Sequence, residues 1–204
     1  MILEILTLLT IATTPVAEFD VAAYGPLIDQ AMINCKNARG KEIDVQLLWD
    51  LAKVENEYRP PTVVRGMILA AACMESGYNP AAKGDRKFSR SKKKPLAIGI
   101  LQMWPIYEKM YPGLDRTNPV QAAHAWMKHI VKMVPRVKKQ CRFKKPQKVW
   151  VAAWVTGIRY KKPNGRCNER PKHLRILKRW QRNIKNEREI YLPTNKNTTD
   201  PVGC

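Results

Sequence analysis

Apolar positions recur along most of this chain at three- and four-residue intervals, the spacing that gives a helix one apolar face. Leu47, Leu51, Val54 and Tyr58 make one such stripe, with Asp44 placed to cap it and Arg59-Pro60-Pro61 to stop it. The stretch from Thr62 to Ser76 is nearly all apolar, begins just after proline and is followed by Gly77, which predicts one buried helix over 62–76. Asn118-Pro119-Val120-Gln121 is a further start signal, followed by Val120, Ala123, Met127, Ile130 and Val134 on one face and by Pro135 as the expected end. Pro146 opens a short apolar helix closed by Gly157, and a last helix from Glu169 to Ile190 turns Leu174, Leu177, Trp180 and Ile184 inward and a basic face outward. No alternating strand pattern of useful length and no internal repeat is present. The expectation is a mainly α single domain over 18–192 with a short tail at 193–204.

Composition narrows the class. The chain is 45% hydrophobic and 26% charged, a globular balance. No uninterrupted apolar run reaches the ~18 residues a spanning helix needs, so a polytopic membrane protein is excluded. Charge changes the picture more. Residues 1–82 hold 6 Lys/Arg and 10 Asp/Glu, whereas residues 83–204 hold the other 31 and 7, giving −4 and +24. A field of one sign on that scale implies an acidic partner: nucleic acid, an anionic membrane or an anionic polymer such as a cell wall.

At the amino terminus, residues 5–17 (ILTLLTIATTPVA) have the length of a signal-peptide core, with Ala17 as its cleavage residue. Glu4 stands where Lys or Arg is usual, and the competing reading is an apolar helix or strand packed on the domain. Cys35, Cys73, Cys141, Cys167 and Cys204 contain no Cys-x-x-Cys pair and form no ligand spacing with His124, His129 or His173, so no metal and no cofactor is expected. Five thiols allow at most two bridges. Cys141 and Cys167, both in polar Lys-rich sequence, could close a loop in an oxidising compartment, while Cys73, in an apolar helical run, is expected to be a small buried residue.

The chemistry centres on one carboxylate. Val64, Ile68, Ala71 and Glu75 fall at i, i+4, i+7 and i+11, so Glu75 ends an otherwise apolar stripe. Desolvation there and the negative end of the helix dipole both disfavour the anion. A carboxylic acid still protonated near neutral pH is what a glycosidase needs to protonate a leaving oxygen. The competing reading is a helix-terminal Glu directed into solvent.

The surrounding text gives that acid a context. Glu75-Ser76-Gly77-Tyr78-Asn79-Pro80 resembles the first motif of the soluble lytic transglycosylase domain of the lysozyme superfamily. Gly99-Ile100-Leu101-Gln102-Met103-Trp104-Pro105 is similar to that family's Gly-Leu-Met-Gln-x-x-Pro motif. Asp115 through Met127, with Asn118 and Ala122-Ala123, resembles its third helix, and Ala152-Ala153-Trp154-Val155-Thr156-Gly157 its Ala-Ala-Tyr-Asn-x-Gly segment. The motifs run in the family's order over 60–160. The resemblance implies a lysozyme-like fold with a glycan-binding cleft and cleavage of the MurNAc–GlcNAc bond of peptidoglycan by one essential Glu, here Glu75. It further implies that Ser76 assists Glu75 or the sugar, that Gln102 hydrogen-bonds substrate, and that Trp154 takes the aromatic position facing the acid, where it could stack on a sugar ring.

The departures are Val155 where the family has Asn, Trp154 for Tyr, Leu101 for Met, and a Lys/Arg-rich stretch, AAKGDRKFSRSKKKPLAI, between Pro80 and Gly99. A hydrolytic muramidase would need a second carboxylate, for which Asp85 and Asp115 are the candidates. A more distant alternative is a nucleic-acid-binding module in which Lys172, Arg175, Lys178, Arg179, Arg182 and Lys185 track phosphates. The reading that fits best is a lytic transglycosylase. It would be a monomer with glycan strands and anionic wall polymers as partners, working outside the cytoplasm, whether as a bacterial wall enzyme or a phage lysin. No nucleic-acid partner is expected.

Overall fold

The computed structural model describes residues 19–35, 42–85, 95–156, 167 and 171–191, with the backbone alone for 155, 156, 171 and 183–191. Outside it lie the apolar segment 1–17, the basic residues 86–94, Gly157, Glu169, the tail and Cys204, and the expected orientation of Ile184 and Lys185. The described residues are mainly helical: α1 Val21–Asn34, α2 Val45–Glu57, a short 3-10 turn Thr62–Val64, α3 Met67–Ser76, α4 Ile106–Met110, α5 Pro119–Cys141, α6 Pro146–Thr156 and α7 Pro171–Tyr191. Two antiparallel strands of two residues each, β1 Lys83–Gly84 and β2 Ala97–Ile98, stand between α3 and α4. The sequence pattern predicts no strand, and none this short could show a two-residue alternation. Among the described residues no helix is long and apolar enough to cross a membrane.

α3 runs through the middle. Met67 to Ala72 have no exposed surface, as an all-round apolar helix requires. Around it, α5 packs on α6 and α2, and α1 packs on α7, α2 and α3. The expected caps form: Asp44 accepts from the N–H groups of Gln46 and Leu47 at 2.9 and 3.4 Å. Asn118 accepts from those of Val120 and Gln121 at 3.1 and 3.0 Å.

Four expectations need correction. The predicted 62–76 helix breaks at Arg65-Gly66, because Gly66 takes φ +78°, a left-handed geometry that ends one element and starts the next. Val64 therefore lies in the 3-10 turn, and the face leading to Glu75 begins at Ile68. α5 does not stop at Pro135 but continues to Cys141. Pro135 is exposed while Met133 and Val137 on the opposite face are buried. Burying two such side chains contributes ~1.5–3 kcal/mol each, enough to offset the ~3 kcal/mol an interior proline costs. Cys73 is no free thiol: it is bridged to Cys35 at the end of α1, with a Cα–Cα distance of 5.6 Å. Lastly, α1 carries a buried i, i+3, i+4, i+7 stripe of Tyr24, Leu27, Ile28 and Ala31 around an internal Pro26, a helix the sequence reading does not single out. The second bridge, Cys141–Cys167, closes the loop between α6 and α7 against the end of α5.

Candidate active site

α3 delivers Glu75 to the place where its buried part ends. Gly77 caps the helix in the left-handed region at φ +61°, with its N–H bonded to the Cys73 carbonyl at 3.0 Å. Only glycine takes that turn without strain, so the chain leaves the helix immediately after Ser76 and Glu75 stands half-buried on its last turn.

Ser76 joins the two motifs through a partner 24 residues away in sequence. Its hydroxyl donates to the Ile100 carbonyl at 2.7 Å, with the Ala72 carbonyl a longer alternative at 3.1 Å. A hydroxyl has one proton, so the shorter bond holds it and the end of α3 is fastened to the loop 99–105. Glu75 and Gln102 thus flank one hydrogen bond. In this structure the Ser76 hydroxyl positions the end of α3 against that loop.

The loop itself is tightly specified. Gly99 has φ +80°, and a Cβ there would collide with the Arg116 carbonyl. Ile98 and Met103 exchange N–H···O bonds in both directions, at 3.2 and 3.0 Å. Gln102 sits between them at φ +46°. Its side-chain amide donates to the Gly99 carbonyl at 2.9 Å, and its Oε1 occupies the space a side chain at Gly84 would need. Gln102 therefore braces the turn with one of its two amide N–H groups. Arg116, only 8% exposed, clamps the same loop by donating to the carbonyls of Leu96 and Met103 at 3.0 and 2.6 Å and to Glu108 at 2.7 Å. Sequence reasoning passes over Arg116, since nothing local distinguishes a buried arginine from its many exposed neighbours.

Trp154 is in the core. It is 4% exposed and wedged edge-to-face between Trp126 and His173, at ring separations of 5.9 and 5.0 Å. A ring so enclosed offers no face to a sugar, which corrects the expectation that it could stack on one. The exposed aromatic is Trp104, 41% accessible on the second motif.

Both candidates for a second carboxylate are engaged. Asp85 accepts the Trp104 indole N–H at 2.9 Å. Asp115 accepts from the Thr117 hydroxyl at 2.6 Å and the Thr117 N–H at 2.8 Å. Those bonds, the hydroxyl's foremost, hold Asp115 below the usual carboxylate range, which suits a turn-forming anion rather than a proton carrier.

A second glutamate emerges that the motifs do not mark. Glu55 on α2 is wholly buried and accepts from the N–H groups of Gly66 at 2.6 Å and Ile68 at 3.0 Å. It supplies, from a neighbouring helix, the cap that Gly66 lacks at the start of α3. Desolvation pushes its pKa from 4.5 up to about 7, against the lowering effect of those backbone bonds. The buried Tyr24 hydroxyl interacts electrostatically with the same carboxylate from outside hydrogen-bond geometry, and burial, then the Glu55 charge, raise that phenol well above its ordinary range. With no exposed surface, Glu55 is a structural acid and not a rival to Glu75. Its sequence signal exists: Leu48, Leu51 and Glu55 share one stripe.

An apolar hollow of about 280 Å³ lies beside the strand pair, lined by Pro80 to Lys83, Ile98 and Thr117. Glu75, Ser76 and Gln102 are not among its walls. Among the described residues no cluster of three His, Cys, Asp or Glu side chains is arranged to hold a metal ion. Compared with protein-family models, curated proteins and solved structures, the chain matches none.

Proposed function

We propose that this chain is a lytic transglycosylase of lysozyme-like fold. It would cleave the β-1,4 bond between MurNAc and GlcNAc in peptidoglycan, with Glu75 as acid and then base. The observation that carries the proposal is the Ser76–Ile100 hydrogen bond, which joins the two segments resembling the family's first and second motifs and so sets the acid beside the glutamine loop. In the mechanism, Glu75 protonates the glycosidic oxygen as the bond to the MurNAc anomeric carbon breaks. The resulting carboxylate then takes the proton of the MurNAc 6-hydroxyl, whose oxygen closes on the anomeric carbon to give a 1,6-anhydro ring. Gln102 uses its remaining amide N–H to hold the sugar. The engagement of Asp85 and Asp115 favours this single-carboxylate route over a muramidase that needs a nucleophile or a base for water. Two disulfides favour work in an oxidising compartment outside the cytoplasm.

The basic half supplies adhesion to an anionic wall, through many contacts worth ~0–1 kcal/mol each. One variant tests chemistry and adhesion apart. Glu75→Gln keeps shape and removes the transferable proton, so it should fold normally by circular dichroism and release no soluble wall fragments. It should still pellet with insoluble wall, less so as salt rises. Wall cleavage by the folded Gln variant would overturn the assignment of Glu75, and salt-indifferent pelleting would overturn the electrostatic role.

A further inference from the structure

α5 is the longest helix among the described residues, and it has no Asp or Glu anywhere along it. Lys128, Lys132, Arg136 and Lys139 are all exposed and fall at i, i+4, i+8 and i+11. They share one face, with a cation at about every turn, ~6 Å apart along the axis. Met127, Ile130, Met133 and Val137 are buried on the other side and so turn that row outward. Among the described residues no carboxylate lies within ion-pair distance of any of the four. Of the two helices that α5 packs on, α6 has no acid. α2 spends its acids elsewhere: Glu57 lies 3.8 Å from His124, Asp50 3.7 Å from Lys53, and Glu55 is in the core. Lys128 also lies over the Tyr111 ring, 5.7 Å from its centroid, a contact that leaves its charge uncompensated. Exposed Arg142, Lys144 and Lys145 follow at the C-terminal end, where the helix dipole favours cations.

The rest of that face narrows the partner. The stretch 128–139 has no Trp, Tyr or Phe, so it offers no ring on which a nucleic-acid base could stack. Besides Pro135, its one exposed apolar side chain is Val131, which makes no apolar face to enter a lipid surface. The carboxylates of peptidoglycan hang on flexible peptide branches, one branch to a disaccharide, and do not match a cation at every turn. A chain that carries a charge in its own backbone, once per short unit, does match.

We propose that the outer face of α5 is an anchoring surface for a linear polyol-phosphate polymer of the cell wall. Each phosphodiester keeps its negative charge across the physiological pH range. Arg136 in the middle of the row can fork to two phosphate oxygens, while the lysines act as point charges. α7 also has a basic face, but Glu187 and Glu189 follow on the same helix. The choice of a wall polymer rests on the peptidoglycan-cleaving reading, and the inference goes beyond it by naming a second polymer, held and not cut.

The test uses the native full chain and fluorescently labelled poly(glycerol phosphate), with binding read by anisotropy. Unlabelled polymer, poly-L-glutamate, single-stranded DNA and anionic phospholipid vesicles serve as competitors at matched charge. The native protein should bind the labelled polymer, more weakly as salt rises. DNA should compete no better than the unlabelled polymer, and poly-L-glutamate and vesicles less well. Replacing Lys128, Lys132, Arg136 and Lys139 together with Gln should weaken binding about tenfold or more. Changing Lys172, Arg175, Lys178 and Arg179 of α7 to Gln removes as much charge and should cost about threefold or less. All these side chains are exposed, so both variants should keep the parent's circular dichroism. Lys132→Gln with Arg136→Gln should give an intermediate loss, so the result does not hang on the fourfold variant. Equal losses from the two helices overturn the surface, as does no polymer binding at all. Better competition by DNA, poly-L-glutamate or vesicles than by the unlabelled polymer overturns it too. Wall digestion by the same native sample separates the two claims. Digestion without α5-dependent polymer binding leaves the enzyme and removes the surface, and α5-dependent binding without digestion keeps the surface and removes the enzyme.

Discussion

Glu55 and Glu75 lie at opposite ends of the same buried helix and are used in opposite ways. Glu75 is half-buried on the last turn of α3, beside the loop that carries Gln102, whereas Glu55 is sealed beneath the first turn, holding the N–H groups of Gly66 and Ile68. For Glu55, burial outweighs the backbone bonds, so the folded protein binds its proton more tightly than the unfolded chain does, with pKa about 7 against 4.5. A pKa raised on folding adds stability that is complete below the unfolded value and is lost as pH rises through the folded one. Denaturant titrations should therefore show ~3 kcal/mol of this contribution disappearing between pH 4.5 and 7. In Glu55→Gln that slope should be absent while the helix cap is partly retained. A variant with the parent's pH slope would show that another group is responsible. Glu75 stands out in the sequence because a motif resemblance and the end of an apolar run fall on the same residue. Glu55 lay on an equally clear stripe, but its function depends on a backbone turn eleven residues away that no local pattern announces.

At the scale of elements, the helices with matching caps and stripes were readable, and the departures trace to tertiary burial. Pro135 reads as a stop because it removes a hydrogen bond, yet Met133 and Val137 are drawn inward on either side of it and the helix continues. Pro26 hides α1 in the same manner. The Thr62–Ser76 run looks uniform by hydropathy and is divided by the one residue in it, Gly66, that can take a positive φ where a Cβ would meet the Leu27 side chain at 2.6 Å. The Cys35–Cys73 bridge was missed because it requires α1, unrecognised in the sequence, to end against α3. That bridge closes a 38-residue loop, and in the chain-entropy account it stabilises the fold by about 4 kcal/mol. Replacing both cysteines with Ser should lower the unfolding free energy by ~2–4 kcal/mol in denaturant titration. No loss would mean that α1 docks on α3 without the covalent tie.

Across the whole molecule, charge is unevenly divided. The one motif-matched acid belongs to a half with net charge −4, and from Arg116 through Asn168, both included, there are 14 Lys/Arg and no Asp/Glu. Lys128, Lys132, Arg136 and Lys139 follow one another along the exposed side of α5, which gives the basic half a stripe suited to a linear polyanion. At ~0.15 M salt the screening length is about 8 Å, so such a stripe acts on what lies against it and not across the molecule on Glu75. The charge division was legible in the composition, whereas the exposure of Trp104 and the burial of Trp154 were not, since two tryptophans in two motifs look alike until the helices are assembled. The masses of the products decide whether Glu75 works as the single carboxylate proposed. Peptidoglycan digested by the native protein should yield muropeptides that end in 1,6-anhydro-MurNAc, lighter by one water than the hydrolytic fragments. Reducing MurNAc ends alone would contradict that mechanism and point to Asp85 and Asp115.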